Sequence, residues 1–198
     1  MFKKNYLLFY GLLIIVVFLI PGCGGSPTTP LLTYTVGNTG PAGGLIFYDK
    51  GIYSDGWRYL EAAPSDQSTG IQWYNGYYVL TGATGTAIGT GQSNTTAIVT
   101  IQGAGSYAAQ LCNDLTVGGY SDWFLPSKDE LDMMYEHLNC AGIGGFIGDW
   151  ETYTFGIYHS SSEQDLKSAW YQVFPNGFQN GGDKSIYHET RVRAVRAF

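Results

Sequence analysis

The chain opens on an unbroken apolar run from Tyr6 to Ile20, preceded by Met1-Phe2-Lys3-Lys4 and followed by Pro21-Gly22-Cys23. As a helix this run spans roughly 22 Å, short of the ~30 Å hydrocarbon core of a bilayer. With its basic n-region it reads as a signal peptide over residues 1–22, not as a permanent span. Gly24-Gly25-Ser26-Pro27-Thr28-Thr29-Pro30 is small, polar and proline-containing, so residues 23–33 read as a flexible linker. Residues 34–198 have the length of one ordinary domain.

Within that domain the apolar positions predict a mixed order of elements. Leu45-Ile46-Phe47-Tyr48 reads as a strand turned by Asp49-Lys50-Gly51, and Trp57 to Ala63 as a second strand ended by Pro64. Residues 82–93 are rich in Gly, Thr, Ala and Ser and read as loop, with a short helix following Asn94 or Thr95. Ser106 can cap a helix that places Ala108, Leu111, Cys112 and Leu115 on one face, stopped by Gly118-Gly119. Ser127-Lys128-Asp129-Glu130 fits a capping box, and Leu131, Met134, Tyr135 and Leu138 form the stripe behind it, with Gly142 as the stop. That position explains Glu130 as a helix cap, not as a catalytic acid. Ser168 to Phe174 alternates, which places Trp170 in a core. Pro175-Asn176-Gly177 turns the chain into a strand from Phe178, and Arg191 to Phe198 reads as a terminal strand. The sum is an α+β domain: two main helices framed by antiparallel strands, with long Gly-rich loops.

Composition adds a location. The chain is 44% hydrophobic and 16% aromatic, which is enough for a core, but only 13% charged. Its surface is therefore polar mainly through Ser, Thr, Asn, Gln and Tyr, a palette suited to an extracellular module. Leu19-Ile20-Pro21-Gly22-Cys23 resembles a bacterial lipobox, in which Cys23 is acylated and becomes the first mature residue. Partnership with a membrane through this N-terminal lipid is thus expected, at the bacterial cell envelope and with the domain outside the cytoplasm. Gly24 after the cysteine, in place of Asp, favours the outer membrane. The net charge of −6 becomes −6 − 2 = −8 once Lys3 and Lys4 are cleaved away, which sets nucleic acid aside as a partner. Export permits a disulfide between Cys112 and Cys140; two separate buried thiols are the alternative. Neither a CxxC nor a Cys/His spacing occurs, so no metal or other cofactor is expected.

The residues that could carry chemistry are few. His137 lies off the apolar stripe of its helix and reads as a surface residue. His159-Ser160-Ser161-Ser162-Glu163 places nucleophile and base types side by side, but adjacency does not deliver the ~3 Å geometry of nucleophilic catalysis. Serine runs of this kind satisfy backbone groups in turns. Asp149, Asp165 and Asp183 are isolated, whereas calcium needs several oxygens within a short loop. The stretch from Trp150 to Phe178 is rich in aromatic and amide side chains, which suit sugar rings or partner side chains. Arg191 and Arg193 share a strand face, and either present a basic patch or pair with carboxylates. The candidate ligand-contacting residues are Trp150, Tyr153, Tyr158, His159, Glu163, Asn176, Arg191 and Arg193.

Six segments, in order, carry a family resemblance: Val36 to Tyr48, Leu60-Glu61-Ala62-Ala63-Pro64, Ile88 to Thr95, Gly118 to Leu131, His159 to Glu163 and Arg191 to Arg196. Together they resemble the C-terminal domain of the Legionella collagen-like adhesin family. The resemblance implies a C-type-lectin-like fold, as also found in formylglycine-generating enzymes, where a Trp-x-Leu-Pro-x-x-x-Glu-Leu segment opens a core helix. It also implies glycosaminoglycan binding and a homo-oligomer, a trimer. This chain departs from the family pattern in lacking collagen repeats, in its acidity, and in having His159 where relatives often carry Trp. The expected function is a surface-tethered, non-enzymatic binding or adhesion module that recognises glycan or an envelope protein. A structural envelope lipoprotein acting by oligomer or partner contacts is the alternative, and an enzyme a third. The short tether tilts the partner toward the chain's own envelope.

Overall fold

In the computed structural model, residues 32–147, 156–186 and 190–198 are described. Strands β1 (Leu45–Ser54) and β2 (Trp57–Ala62) pair antiparallel, with Ser54 facing Trp57 across Asp55-Gly56. Both turn residues have positive φ, 54° and 84°. A two-residue hairpin turn of matching twist demands that pair of conformations, and Asp-Gly adopts it at little cost. The turn thus falls beyond the expected Asp49-Lys50-Gly51, which lies inside β1 as an irregularity where the Gly51 amide donates to Asp49 Oδ1.

Three helical segments follow among the described residues. Helix α1 (Gly91–Gln102) starts earlier than the expected Asn94, because the Asn94 amide already donates to Thr90. Helix α2 (Ala108–Asn113) is entered from Tyr107 in extended conformation, not capped by Ser106; the buried Tyr107 ring and its hydroxyl bond to the Gly103 carbonyl fix the entry. Helix α3 (Lys128–Met134) has the expected capping box and continues as a π-type turn, Tyr135–Asn139. Leu131, Met134 and Leu138 are buried along the expected stripe, and Gly142 closes the end with φ 70°.

The remaining strands are β3 (Ile157–Glu163), β4 (Ser168–Val173), β5 (Phe178–Asp183), β6 (Thr190–Arg191) and β7 (Val195–Ala197). They form a sheet of order β5-β4-β3-β6, antiparallel apart from the short parallel β3–β6 pair, while β7 adds to the first hairpin as β1-β2-β7. The expected terminal strand is therefore split between two sheets. Between its halves, residues 192–194 pair with Ala63, Gln67 and Ser68, because their backbone groups find partners in that loop. The β4–β5 turn falls at Pro175-Asn176-Gly177 as expected, with Val173 opposite Phe178. One apolar cluster joins α1 and α2 to Trp73, Trp123 and Leu125; a second packs α3 against β1 and β2 through Phe47, Leu60, Tyr158 and Phe174. Trp170 is half-buried instead of enclosed, with Lys128 Nζ 5.8 Å above its ring. The whole is an α+β domain of mixed helices and antiparallel sheets.

Candidate functional site

Strand β3 carries the run His159 to Glu163, every residue of it buried. Its register with β4 shifts between His159 and Glu163. Such an irregularity turns strand backbone away from the ladder. The Ser161 amide donates to the Pro126 carbonyl and the Glu163 amide to that of Ala83, each at 2.7 Å. The serine hydroxyls fasten neighbouring segments. Ser160 donates to the Trp170 carbonyl at 2.8 Å, and Ser162 donates to that of Gly85 at 2.7 Å while accepting from the Lys128 amide at 3.0 Å. Ser161 accepts from Asn94 Nδ2 at 3.3 Å. The serines thus sit in a strand, not a turn, and each hydroxyl has a structural partner.

Glu163 closes this run with a buried ion pair. Lys184 Nζ lies 2.6 Å from its Oε1, and both side chains are essentially inaccessible. The carboxylate also accepts from the Thr81 and Gly82 amides at 3.0 Å, while Lys184 donates to the Leu166 carbonyl at 3.1 Å and sits 4.8 Å over the Trp73 ring. Two desolvated charges persist only when paired and further hydrogen-bonded, as here.

Beside the pair opens a recess of about 90 Å³. Trp73, Ile157, Ala169, Tyr171 and Ile186 supply rings and apolar walls, and His159 and Asp183 supply polar groups. His159 Nε2–H donates to the Ile71 carbonyl at 2.8 Å, and burial lowers the ring's pKa to about 4, so it is neutral at pH 7. Asp183 accepts from the Tyr78 hydroxyl at 2.7 Å and the Ser185 amide at 2.9 Å; these bonds hold its carboxyl below the usual range. Tyr78 and Ile186, 38% and 46% exposed, leave apolar surface open near Asp183. The Trp73 indole donates to the Ser160 carbonyl at 2.8 Å, which fixes that wall against β3.

Three of the residues singled out from the sequence meet elsewhere. Tyr158, Arg191 and Arg193 converge on Asp66, at 3.1, 3.2 and 2.7 Å. Arg193 also donates to the Ala63 and Gly144 carbonyls and lies over the Phe146 ring, so the two arginines pair inward instead of forming a basic patch. The Tyr158 ring stacks 4.3 Å from Phe174, and burial raises its phenol pKa. Tyr158, Glu163 and Arg193 are buried and none of them lines the recess. Asn176 is exposed, and its Oδ1 accepts from the Phe178 amide within the turn. Of the six that lie among the described residues, only His159 lines the recess. Trp150 and Tyr153, like Asp149, His188, Cys23, the signal peptide and most of the linker, lie outside the described residues.

Cys112 and Cys140 are separate free thiols and not a disulfide: Cys112 is buried in the core, where desolvation raises its pKa, but Cys140 is exposed after the π turn, which corrects the expectation that both thiols are buried. His137 is exposed, with Nδ1 2.7 Å from the Phe47 carbonyl oxygen. Asp165 serves the Lys167 and Ser168 amides, and among the described residues no cluster of three metal-ligating side chains forms. Sequence reasoning missed Trp73, Tyr78, Asp183 and Ile186 as neighbours. The aromatic run Trp73-Tyr74-Asn75-Gly76-Tyr77-Tyr78 was the signal that could have found that wall.

The recess residues all fall within the part of the chain that matches a known family: residues 63–196 match the family model described as Lcl C-terminal domain. No curated protein matches the chain.

Proposed function

The chain belongs to the Lcl C-terminal domain family, and from that premise we propose that it is a non-catalytic recognition module of C-type-lectin-like fold that binds saccharide in the recess beside Trp73 and Tyr171. The observation that carries this reading is the recess itself. It combines ring and apolar walls with a few polar groups, the usual make-up of a small-molecule site. A sugar lays its C–H face on an aromatic ring and directs hydroxyls to acceptors. The fold assignment draws support from Trp123-Phe124-Leu125-Pro126, which leads into α3 and its capping box. The non-catalytic reading draws support from the engaged serines of β3 and from His159, which bonds the Ile71 carbonyl and no serine.

The same protein is proposed to be exported and held at the cell envelope by lipid on Cys23, at the outer membrane, with its ligand on the same envelope. A glycan array probed with the mature chain should show binding, and Tyr171→Ala should weaken it at least tenfold with the melting temperature little changed. Silence across the array from a protein that is a stable trimer would favour the structural-lipoprotein reading instead. For the anchor, mass spectrometry of the purified chain should find acylated Cys23 as its first residue. A Cys23→Ser protein that stays in the membrane fraction would refute it.

A further inference from the structure

Resting on the saccharide-binding reading of the recess, we infer that His159 is its specificity-determining residue: Nδ1 accepts a hydrogen bond from a ligand hydroxyl, so that the site takes an uncharged sugar and rejects a sulfated one. The Ile71 carbonyl, 2.8 Å from Nε2, needs a donor and so holds the ring proton on that nitrogen. Nδ1 is then a bare acceptor in a residue that lines the recess. It has no partner among the described residues, and it is not one of the enclosed, unpaired polar atoms there.

The charges around the opening point the same way. Lys184, the cation in the lining, is neutralised by Glu163 at 2.6 Å and directs Nζ to the Leu166 carbonyl as well. Asp183 lines the recess as an anion, and Asp165, also anionic, stands close to the same lysine. Lys167, 5.9 Å from the Tyr78 ring, is a nearby cation outside the pair. A sulfate entering here would meet a neutral acceptor and a carboxylate, which cannot donate to it, and the donors beside them, the Tyr171 and Thr190 hydroxyls, carry no charge to offset its own. Two hydroxyls of a sugar can donate, one to each, while its apolar C–H face rests on the Tyr171 wall.

The test titrates the mature chain with methyl α-mannoside, methyl β-galactoside, N-acetylglucosamine and heparin, following Trp fluorescence and the imidazole nitrogen resonances of histidine-labelled protein. At least one neutral sugar should bind, and its saturation should shift the His159 Nδ1 resonance upfield while leaving Nε2 in place. His159→Gln, whose amide can still donate to the Ile71 carbonyl but lacks an acceptor at the Nδ1 position, should bind that sugar at least tenfold more weakly with its melting temperature preserved. An unmoved Nδ1 resonance at saturation, or equal affinity in the variant, would overturn the inference. Heparin binding without any neutral sugar would overturn it and leave saccharide recognition standing. Failure of all four probes and of the glycan array would remove both.

Discussion

A neutral histidine buried in the folded state makes stability depend on pH. In the unfolded chain the imidazole of His159 titrates near 6.5, and in the folded domain at about 4. Between those values the unfolded state binds a proton that the folded state refuses. The contribution is complete above about pH 6.5 and is lost as the pH falls toward 4, by roughly 3 kcal/mol at most. Urea unfolding of wild type and His159→Gln at pH 7 and pH 4.5 should therefore show the wild type losing more stability than the variant; equal losses would contradict the burial. The ring's partner could not be read from the sequence, because Ile71 lies 88 residues away. Glu130, by contrast, was legible as a cap, since Ser127 and the helix it opens are its immediate neighbours. Even there the sequence concealed the reach of its carboxylate to the Gly89 amide at 2.8 Å.

At the level of elements, that carboxylate joins the start of α3 to the loop before α1. It accepts from the Ser127 amide at 2.7 Å as well as from Gly89, while burial raises its pKa against the bonds that lower it. Glu130→Gln turns an acceptor into a partial donor facing amide hydrogens, so it should cost about 2–3 kcal/mol, read as a lower urea midpoint with an unchanged slope. Helix α3 and the β4–β5 turn were legible because capping boxes and Pro-Asn-Gly turns act over a few residues. The first hairpin was misplaced although Asp55-Gly56 carried the stronger turn chemistry; Asp49-Lys50-Gly51 offers a similar local signal, and only the cross-strand pairing decides between them. The terminal strand was misread for a related reason. Alternation marks extended chain, but the partners that divide it, Ser68 on one side and Phe124 on the other, lie far away in sequence.

Across the whole domain, buried ion pairs bind segments that the chain keeps far apart. Glu163 and Lys184 tie β3 and the end of β5 to residues 79–82. Glu61, itself fully buried, accepts from the Ala42 and Gly44 amides and faces Arg196, whose guanidinium grips Asp122. Removing one partner strands the other, so Glu163→Gln or Lys184→Met alone should cost about 3–5 kcal/mol, and the double variant less than the sum. Chemical denaturation of the four proteins measures this; strict additivity would show that the pair does not act as a unit. Composition marked this domain as acidic and sparingly charged, yet could not reveal that several of its cations face inward. That is why Arg191 and Arg193 looked like candidates for a ligand surface, and why the recess, assembled from segments around residues 73, 159, 171 and 183, was only partly visible.

The claim that this recess is the binding surface is tested most directly by amide spectra of the labelled mature chain, titrated with the neutral sugar that binds it best. The largest shifts should fall on His159, Tyr171, Gly182 and the Trp73 indole, and they should vanish in Tyr171→Ala. Saturable shifts confined to the β1–β2 hairpin, with the recess resonances unmoved, would contradict it.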